Sequence, residues 1–220
     1  MRYHKAPDET IRRLPKYLRA LMVLLERGQK TVSSVALAEF MGGNPARVRK
    51  DFSLFGGFGK RGFGYDIETL AGEIRKILRL NVVNKAALVG VGNLGRAILA
   101  FPSLKIYGFE IVAAFDNDPR KVGEKAGRIV IEHISQICDL NRRGVRVGII
   151  AVPRHAAQQT ANDLLEAGVR GIVKFSQGYI TVPKKVKVIT IDIAMDFARL
   201  PYYMPGNLSR AAPVALAGGL

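Results

Sequence analysis

The stretch ALVGVGNLGRAILA, Ala87 to Ala100, contains Gly90-Val91-Gly92-Asn93-Leu94-Gly95, a match to the G-x-G-x-x-G pattern of a dinucleotide-binding turn. A second match stands earlier, at Gly57-Phe58-Gly59-Lys60-Arg61-Gly62. Context separates the two. A nucleotide turn needs a buried apolar strand before it and a helix opening at its third glycine. Ala86–Val91 is such a strand, and Arg96–Phe101 reads as the helix, ended near Pro102. A further strand, Ile111–Phe115, terminates at Asp116, about twenty residues past the last glycine, where the pattern wants an acceptor for ribose hydroxyls. Gly90 permits the turn, Gly92 lets backbone approach the pyrophosphate across Asn93 and Leu94, and Gly95 lets helix and strand pack closely. The helix N-terminus adds amides and a positive dipole end. Asp116 repels the 2′-phosphate of NADP and so favours NAD, although Arg120 and Lys121 stand close enough in sequence to soften that preference.

Strand and helix go on alternating. Arg146–Val152 is a strand ending at Pro153, Ala156–Ala167 a helix, Gly171–Phe175 and Val188–Ile191 further strands. Such alternation predicts a doubly wound parallel sheet of Rossmann type, spanning residues 84–195. Ligands bind beyond the carboxyl ends of its strands, which places Val152, Pro153 and Phe175-Ser176-Gln177 along the cleft.

Residues 1–80 read differently. Leu14, Leu18, Leu21, Met22 and Leu25 stand at helical spacing, and Gly28 stops that helix. Ser33 or Ser34 caps a short second helix whose Val35, Ala38 and Phe40 suggest burial. Gly42-Gly43 turns the chain, Asn44 caps a third helix, and Pro45 occupies its first position. The result is a helix-turn-helix. In the third helix Val48 and Phe52 face the core, while Arg47, Lys50 and Asp51 fall away from it and Arg49 lies on the flank. Arg47, Arg49, Lys50 and Ser53 are therefore candidate DNA contacts. Aromatic residues then alternate with glycines. Phe55, Phe58, Phe63 and Tyr65 anchor a hairpin whose tip carries Lys60 and Arg61, a wing placed to touch the phosphate backbone or the minor groove. The first glycine match thus serves a hairpin. A helix over residues 66–79, capped by Asp66, closes this winged-helix domain.

Composition agrees. Forty-eight per cent apolar content with mean hydropathy +0.10 predicts a soluble globular protein. No apolar run reaches the ~18 residues of a membrane span. The first residues, MRYHKAPDETIRR, lack a signal-peptide core, so a cytoplasmic location is expected. The net charge of +16 points to polyanions, nucleic acid first, and residues 1–80 hold half of it. One cysteine and three scattered histidines leave nothing from which to build a disulfide framework or a metal site.

Together the two halves resemble the redox-sensing transcriptional repressor family Rex, over nearly the whole chain to about residue 200. The most specific piece is Val48–Gly56 with Gly59–Tyr65, which is similar to the family's recognition helix and wing, with Phe52 where Leu is usual and Arg47 where Gln is usual. The Gly90–Gly95 turn, Phe115–Pro119 and Val152-Pro153-Arg154 support it. The resemblance implies a homodimer that binds palindromic operator DNA and is released when NADH occupies the Rossmann cleft. It aligns Arg19 and Asp192 with an ion pair linking the two domains. It implies a C-terminal helix, within residues 196–220, exchanged between subunits. Ile193, Phe197 and Leu200 give its apolar face, and Pro201 and Pro205 should stop it early. Lys174-Phe175-Ser176-Gln177 stands where the family has Asn-Phe-Ala-Pro, near the nicotinamide; Lys174 either disfavours the cationic ring of NAD+ or points away.

The rival class is an enzyme, a Rossmann NAD(H) oxidoreductase, or a CoA-binding protein. His155 is the one candidate acid or base near the cleft, and no Asp or Glu is placed to orient it, so no catalytic role is expected. His133 belongs to a strand-to-helix loop, and Cys138 reads as a core residue at helical spacing from Ile134 and Ile137.

Overall fold

The computed structural model describes residues 6–60 and 63–204, the Lys60 side chain excepted. Helix α1 (Asp8–Glu26) buries Leu14, Tyr17, Leu18, Leu21 and Leu24 along one stripe. Met22 is only half-buried and Leu25 is exposed, because Tyr17 and Leu24 occupy the core side of their turns. Gly28, at φ 78°, ends the helix. After β1 (Thr31–Val32) comes α2 (Ser34–Phe40), capped by Ser33, whose hydroxyl accepts from the Ala36 amide at 3.0 Å. Leu37 and Ala38 are its buried pair, whereas Val35 and Phe40 face outward, against the sequence expectation. Phe40 instead lies under the Arg27 guanidinium, 5.3 Å from it.

Helix α3 (Pro45–Ser53) starts as the sequence predicts, with the Asn44 side chain accepting from the Ala46 and Arg47 amides. Such a cap is worth about 1 kcal/mol. β2 (Gly59–Lys60) and β3 (Gly64–Asp66) form the hairpin, and β3 pairs with β1 on its other side in the order β1-β3-β2. Gly64 has φ 79°, and a Cβ there would stand 2.5 Å from the Val32 carbonyl oxygen; a Cβ on Gly59 would meet the Tyr65 ring at 2.8 Å. The wing needs glycine at both places. Helix α4 (Ile67–Ile77), capped by Asp66 through the Thr69 amide, buries Ile67, Leu70, Ala71 and Ile74. These four helices share one core, in which each fully buried leucine or isoleucine contributes about 1.5–3 kcal/mol.

The second unit is built on a seven-stranded sheet. From Asn84 onward the chain forms, in order, β4 (Asn84–Val89), α5 (Asn93–Leu99), α6 (Ser103–Ile106), β5 (Phe109–Asp116), β6 (Lys125–Ala126) and β7 (Ile129–His133). A 3-10 helix (Ile134–Leu140) follows, then β8 (Val147–Ile150), α7 (Arg154–Glu166), β9 (Gly171–Lys174), β10 (Lys187–Thr190), α8 (Ile193–Phe197) and α9 (Leu200–Tyr203). The strand order is β10-β9-β8-β4-β5-β7-β6. β10–β9, β9–β8, β8–β4 and β5–β7 run parallel, and β6–β7 is an antiparallel hairpin. Strand alternation covers both faces. Ala87, Val89, Phe115, Ile150 and Ile172 join one apolar cluster, Ala86, Leu88, Ala114 and Ile149 another.

Two expectations fail here for geometric reasons. Residues 134–140 form a 3-10 helix, whose three-residue turn aligns Ile134, Ile137 and Leu140 and leaves Cys138 exposed. Pro201 does not end the C-terminal helix. It falls in the first turn of α9, where its missing amide costs nothing, and the break comes at Ala198–Arg199. Pro205 lies outside the described residues.

By contacts the chain divides into Met1–Asn84 with Pro102–Glu110, and Lys85–Phe101 with Ile111–Leu220. The segment 102–110 therefore clusters with the first unit: the Asn84 amide donates to the Gly108 carbonyl at 2.7 Å, and Tyr107 packs against the four-helix core. No helix among the described residues is long and apolar enough to cross a membrane.

Candidate functional site

The face of α3 follows from which positions it buries. Val48, Asp51 and Phe52 form an i, i+3, i+4 stripe, all nearly inaccessible. Asp51 thus points inward, contrary to the sequence reading. Spacing from Val48 and Phe52 alone leaves Asp51 on their border, and its hydrogen bonds decide the matter. Its carboxylate accepts from Thr10 Oγ1 (2.9 Å), Tyr17 OH (2.7 Å) and Arg13 Nε and Nη2 (2.6 and 2.8 Å). Burial opposes the charge on Asp51, but Arg13, Tyr17 and Thr10 outweigh it and hold its carboxyl below the usual range. Burial, and then Asp51, push the Tyr17 phenol well above its ordinary value. This clamp fixes α3 to α1.

The outer side of α3 then presents Lys50 and Ser53, with Arg47 and Arg49 on opposite flanks, all four exposed. Arg49 donates to Ser34 Oγ at 3.1 Å, which steadies it beside the start of α2. Arg49 and Ser53 border a groove of about 510 Å³ that runs between α3 and the Gly56–Gly59 backbone of the wing. Arg47 borders a different hollow, of about 170 Å³, together with Arg13 and Lys16, two cations the sequence reading did not include. Phe52 pins the wing: its ring meets Tyr17, Tyr65 and Phe58 edge-on, with centroids at 5.0, 5.2 and 6.2 Å. Phe63 is 81% exposed and anchors nothing. The Lys60 backbone pairs with Gly64 in the hairpin, while the Lys60 side chain, Arg61 and Gly62 lie outside the described residues.

In the second unit the Gly90–Gly95 turn joins β4 to α5. Gly90 has φ 94°, and a Cβ there would stand 2.5 Å from the Ala151 carbonyl oxygen; a Cβ on Gly95 would lie 2.1 Å from the Gly90 oxygen. A Cβ on Gly92 would meet nothing within 4 Å. The turn is therefore tight at its two ends and open at its middle glycine. That is the form a pyrophosphate requires. Asn93 and Leu94 are exposed on its rim.

Asp116 ends β5, almost fully buried. Its Oδ2 accepts from the Val91 amide (2.8 Å) and from Lys121 Nζ (3.1 Å), and its Oδ1 from the Asp118 amide (2.9 Å). Burial works against its charge, but the Asp118 and Val91 amides and Lys121 together lower its carboxyl below the usual range. A carboxylate has about four acceptor positions, so one on Oδ1 is left for a ribose hydroxyl. Arg120 is held by Asp118, whose carboxyl its hydrogen bonds lower to about 2.

A cavity of about 390 Å³ brings together Gly90, Asp116, Val152 and Pro153, all anticipated, with Asn117, Ile134 and a stripe of α7. The stripe is Ala156, Gln159, Thr160 and Asp163, at i, i+3, i+4 and i+7, missed in the sequence, where its signal was three polar residues at helical spacing beside the apolar Ala157, Ala161 and Leu164. His155, exposed in the first turn of α7, lines the mouth. Phe175 does not line this cavity; it packs half-buried against the cluster around Leu88 and Val91. Lys174 is buried and donates to the Ser176 and Gly178 carbonyls at 2.5 and 2.7 Å. Asp192 caps α8, accepting from the Ala194 and Met195 amides, and Arg19 is exposed on α1. Among the described residues no three His, Cys, Asp or Glu side chains group to hold a metal ion.

Comparison with known proteins gives the same two halves. Residues 5–53 match the family described as putative DNA-binding protein N-terminus, and residues 83–178 the CoA binding domain family. The chain is 43% identical over 201 residues to the redox-sensing transcriptional repressor Rex of Chloroflexus aurantiacus, covering 90% of this chain and 94% of that one. It is 38% identical to the Rex of a Geobacillus species, over 91% and 93%. A crystal structure of RSP in complex with β-NAD+ and operator DNA superimposes with TM-score 0.86 at 34% identity, covering 90% of this chain and 92% of that one. RSP in complex with β-NADH gives TM-score 0.83 at 32% identity, over 90% and 93%. Fold and site thus define a winged-helix transcriptional regulator carrying a Rossmann-type dinucleotide-binding sheet. The chain belongs to the Rex family of redox-sensing transcriptional repressors.

Proposed function

We propose that this chain represses transcription by holding palindromic operator DNA as a homodimer, and lets go when NADH fills the cleft between the Gly90–Gly95 turn and Asp116. The observation that carries the reading is the open backbone at Gly92, set between two glycines that tolerate no side chain. A dinucleotide pyrophosphate fits there, with Asn93 and Leu94 flanking it, Asp116 accepting from the adenosine ribose, and Val152, Pro153 and Phe175 toward the other end. When bound, the group supplies a redox-dependent charge. Arg47, Arg49, Lys50 and Ser53 of α3, with Lys60 and Arg61 of the wing, contact the DNA. Residues 1–80 act as the DNA-binding domain, 84–195 as the dinucleotide domain, and 196–220 supply the exchanged C-terminal segment. The exposure of Ile193, Phe197, Leu200, Tyr202 and Tyr203 within one chain supports a second copy as their cover. Arg19 and Asp192 form the switch pair.

The chain works by binding and not by turnover, in the cytoplasm. NADH weakens DNA binding and DNA weakens NADH binding by the same factor. The test is one gel-shift titration on palindromic DNA with NAD+, with NADH and with neither. NADH is expected to release the DNA; unchanged operator affinity at saturating NADH would sink the redox switch and leave the DNA-binding half standing. A second reading, a CoA ligand, is favoured by the family match over residues 83–178. Competition between CoA and NADH for the cleft separates the two.

A further inference from the structure

Lys174 is a lysine almost without solvent contact, 1% exposed, at the carboxyl end of β9. Its Nζ bonds only backbone carbonyls, those of Ser176 and Gly178, and no carboxylate hydrogen-bonds it among the described residues. Beside it Ser176 Oγ is buried with no hydrogen-bond partner, so it makes no hydrogen bond with the ammonium either. Burial holds the proton affinity of Lys174 below its ordinary value, and Asp192, acting from beyond the end of β10, offsets part of that and favours the ammonium. That carboxylate already caps α8 through the Ala194 and Met195 amides. Arg154, at the start of α7, lies close against Gly178 and brings a second cation to the same loop.

The sheet places this cation with respect to any dinucleotide. Asp116 ends β5 and the glycine turn follows β4, while β8 and then β9 lie on the other side of β4. A dinucleotide with its adenosine ribose at Asp116 and its pyrophosphate on the turn must send its second nucleoside over β8 toward β9. Phe175 N donates to the Ile150 carbonyl there, and Lys174 pairs with Ile150 in register, so the loop over Lys174 borders Ala151 and Val152.

We infer that Lys174 sets the charge preference of the dinucleotide site: its ammonium, lodged under the Phe175–Gly178 loop at the end opposite Asp116, disfavours an oxidised, cationic nicotinamide relative to the neutral reduced ring. This deepens the proposed function and rests on it. A like charge beside the ring, screened at an effective dielectric of about 20 and offset in part by Asp192, changes relative affinity by roughly tenfold.

The experiment measures dissociation constants of NAD+ and NADH by calorimetry for the full chain, for Lys174→Gln and for Lys174→Arg. In Lys174→Gln the amide still donates to the loop carbonyls, and the NADH preference should fall about tenfold because NAD+ tightens. Lys174→Arg, which keeps the charge, should retain the preference. A Lys174→Gln chain that loses affinity for both forms equally overturns the inference and leaves Lys174 as a loop tether. A measurement on the unsubstituted chain bears on it without folding risk: ADP-ribose, which lacks the ring, should outcompete NAD+ but not NADH. NAD+ binding as tightly as NADH overturns it. If neither dinucleotide binds the unsubstituted chain, the proposed function has failed, a different result from either of these.

Discussion

Replacing Asp51 by Asn tests the clamp that orients the recognition helix. Asp51 accepts four hydrogen bonds from three α1 side chains, and its own side chain is 3% exposed. Asn keeps the shape, removes the charge, and turns one acceptor into a donor that faces donors. Breaking a buried pair costs about 3–5 kcal/mol, because the partner stays buried and unpaired. Arg13 is 25% exposed and recovers part of that by turning to water, so the expected loss is about 2–4 kcal/mol. For a unit of this size that lowers Tm by roughly 10–20 °C, read by circular dichroism. The pH dependence gives an independent check. The folded Asp51 carboxyl is lowered, so its contribution is present above the ordinary value near 4 and disappears as pH falls through the folded value. The gap between parent and variant should therefore be full at pH 7 and close in acid. In a double-mutant cycle, Arg13→Met should cost less in the Asp51→Asn background than in the parent. A loss below about 1 kcal/mol at pH 7, the range of an exposed pair, refutes the clamp.

Gly92 and Gly95 should separate binding from folding. Gly92→Ala meets no atom and is expected to leave Tm within about 1 °C while weakening NADH at least tenfold, whereas Gly95→Ala collides with the Gly90 carbonyl and should lower Tm, both followed by melting and calorimetry. Arg49→Ala and Lys50→Ala should each weaken operator binding and reduce its salt slope by about 1, with NADH affinity unchanged in calorimetry. Asn44→Ala removes the α3 cap and should cost about 1 kcal/mol in urea unfolding. Lys121→Ala uncovers the Asp116 charge and should sharpen rejection of NADPH relative to NADH in competition assays.

Local signals were readable wherever one residue type has one physical use. Asn44 and Pro45 mark the α3 start, Asp66 the α4 start, and the paired glycines the turn, because capping and tight approach admit few alternatives. What the sequence hid was orientation about an axis. Asp51 looked outward because charge usually seeks water, and only four long-range donors, brought from positions 10 to 17 by the fold, reverse that. Cys138 looked buried because helical spacing was assumed where a 3-10 turn operates. The α7 side of the cleft was missed for a different reason: Gln159, Thr160 and Asp163 resemble any solvated helix face until β4 and β5 are placed against them.

The four-helix core is finished by a residue that comes more than twenty positions after its last helix. Tyr107, carried on segment 102–110, packs against it, and the Asn84 amide is tied to Gly108. The DNA-binding head is thus discontinuous in the gene. A fragment cut after residue 84 would lack that tyrosine and expose the surface it covers, so weak DNA binding by such a fragment would measure an incomplete fold and not an absent regulator. A faithful minimal head must splice residues 102–110 back through a short turn.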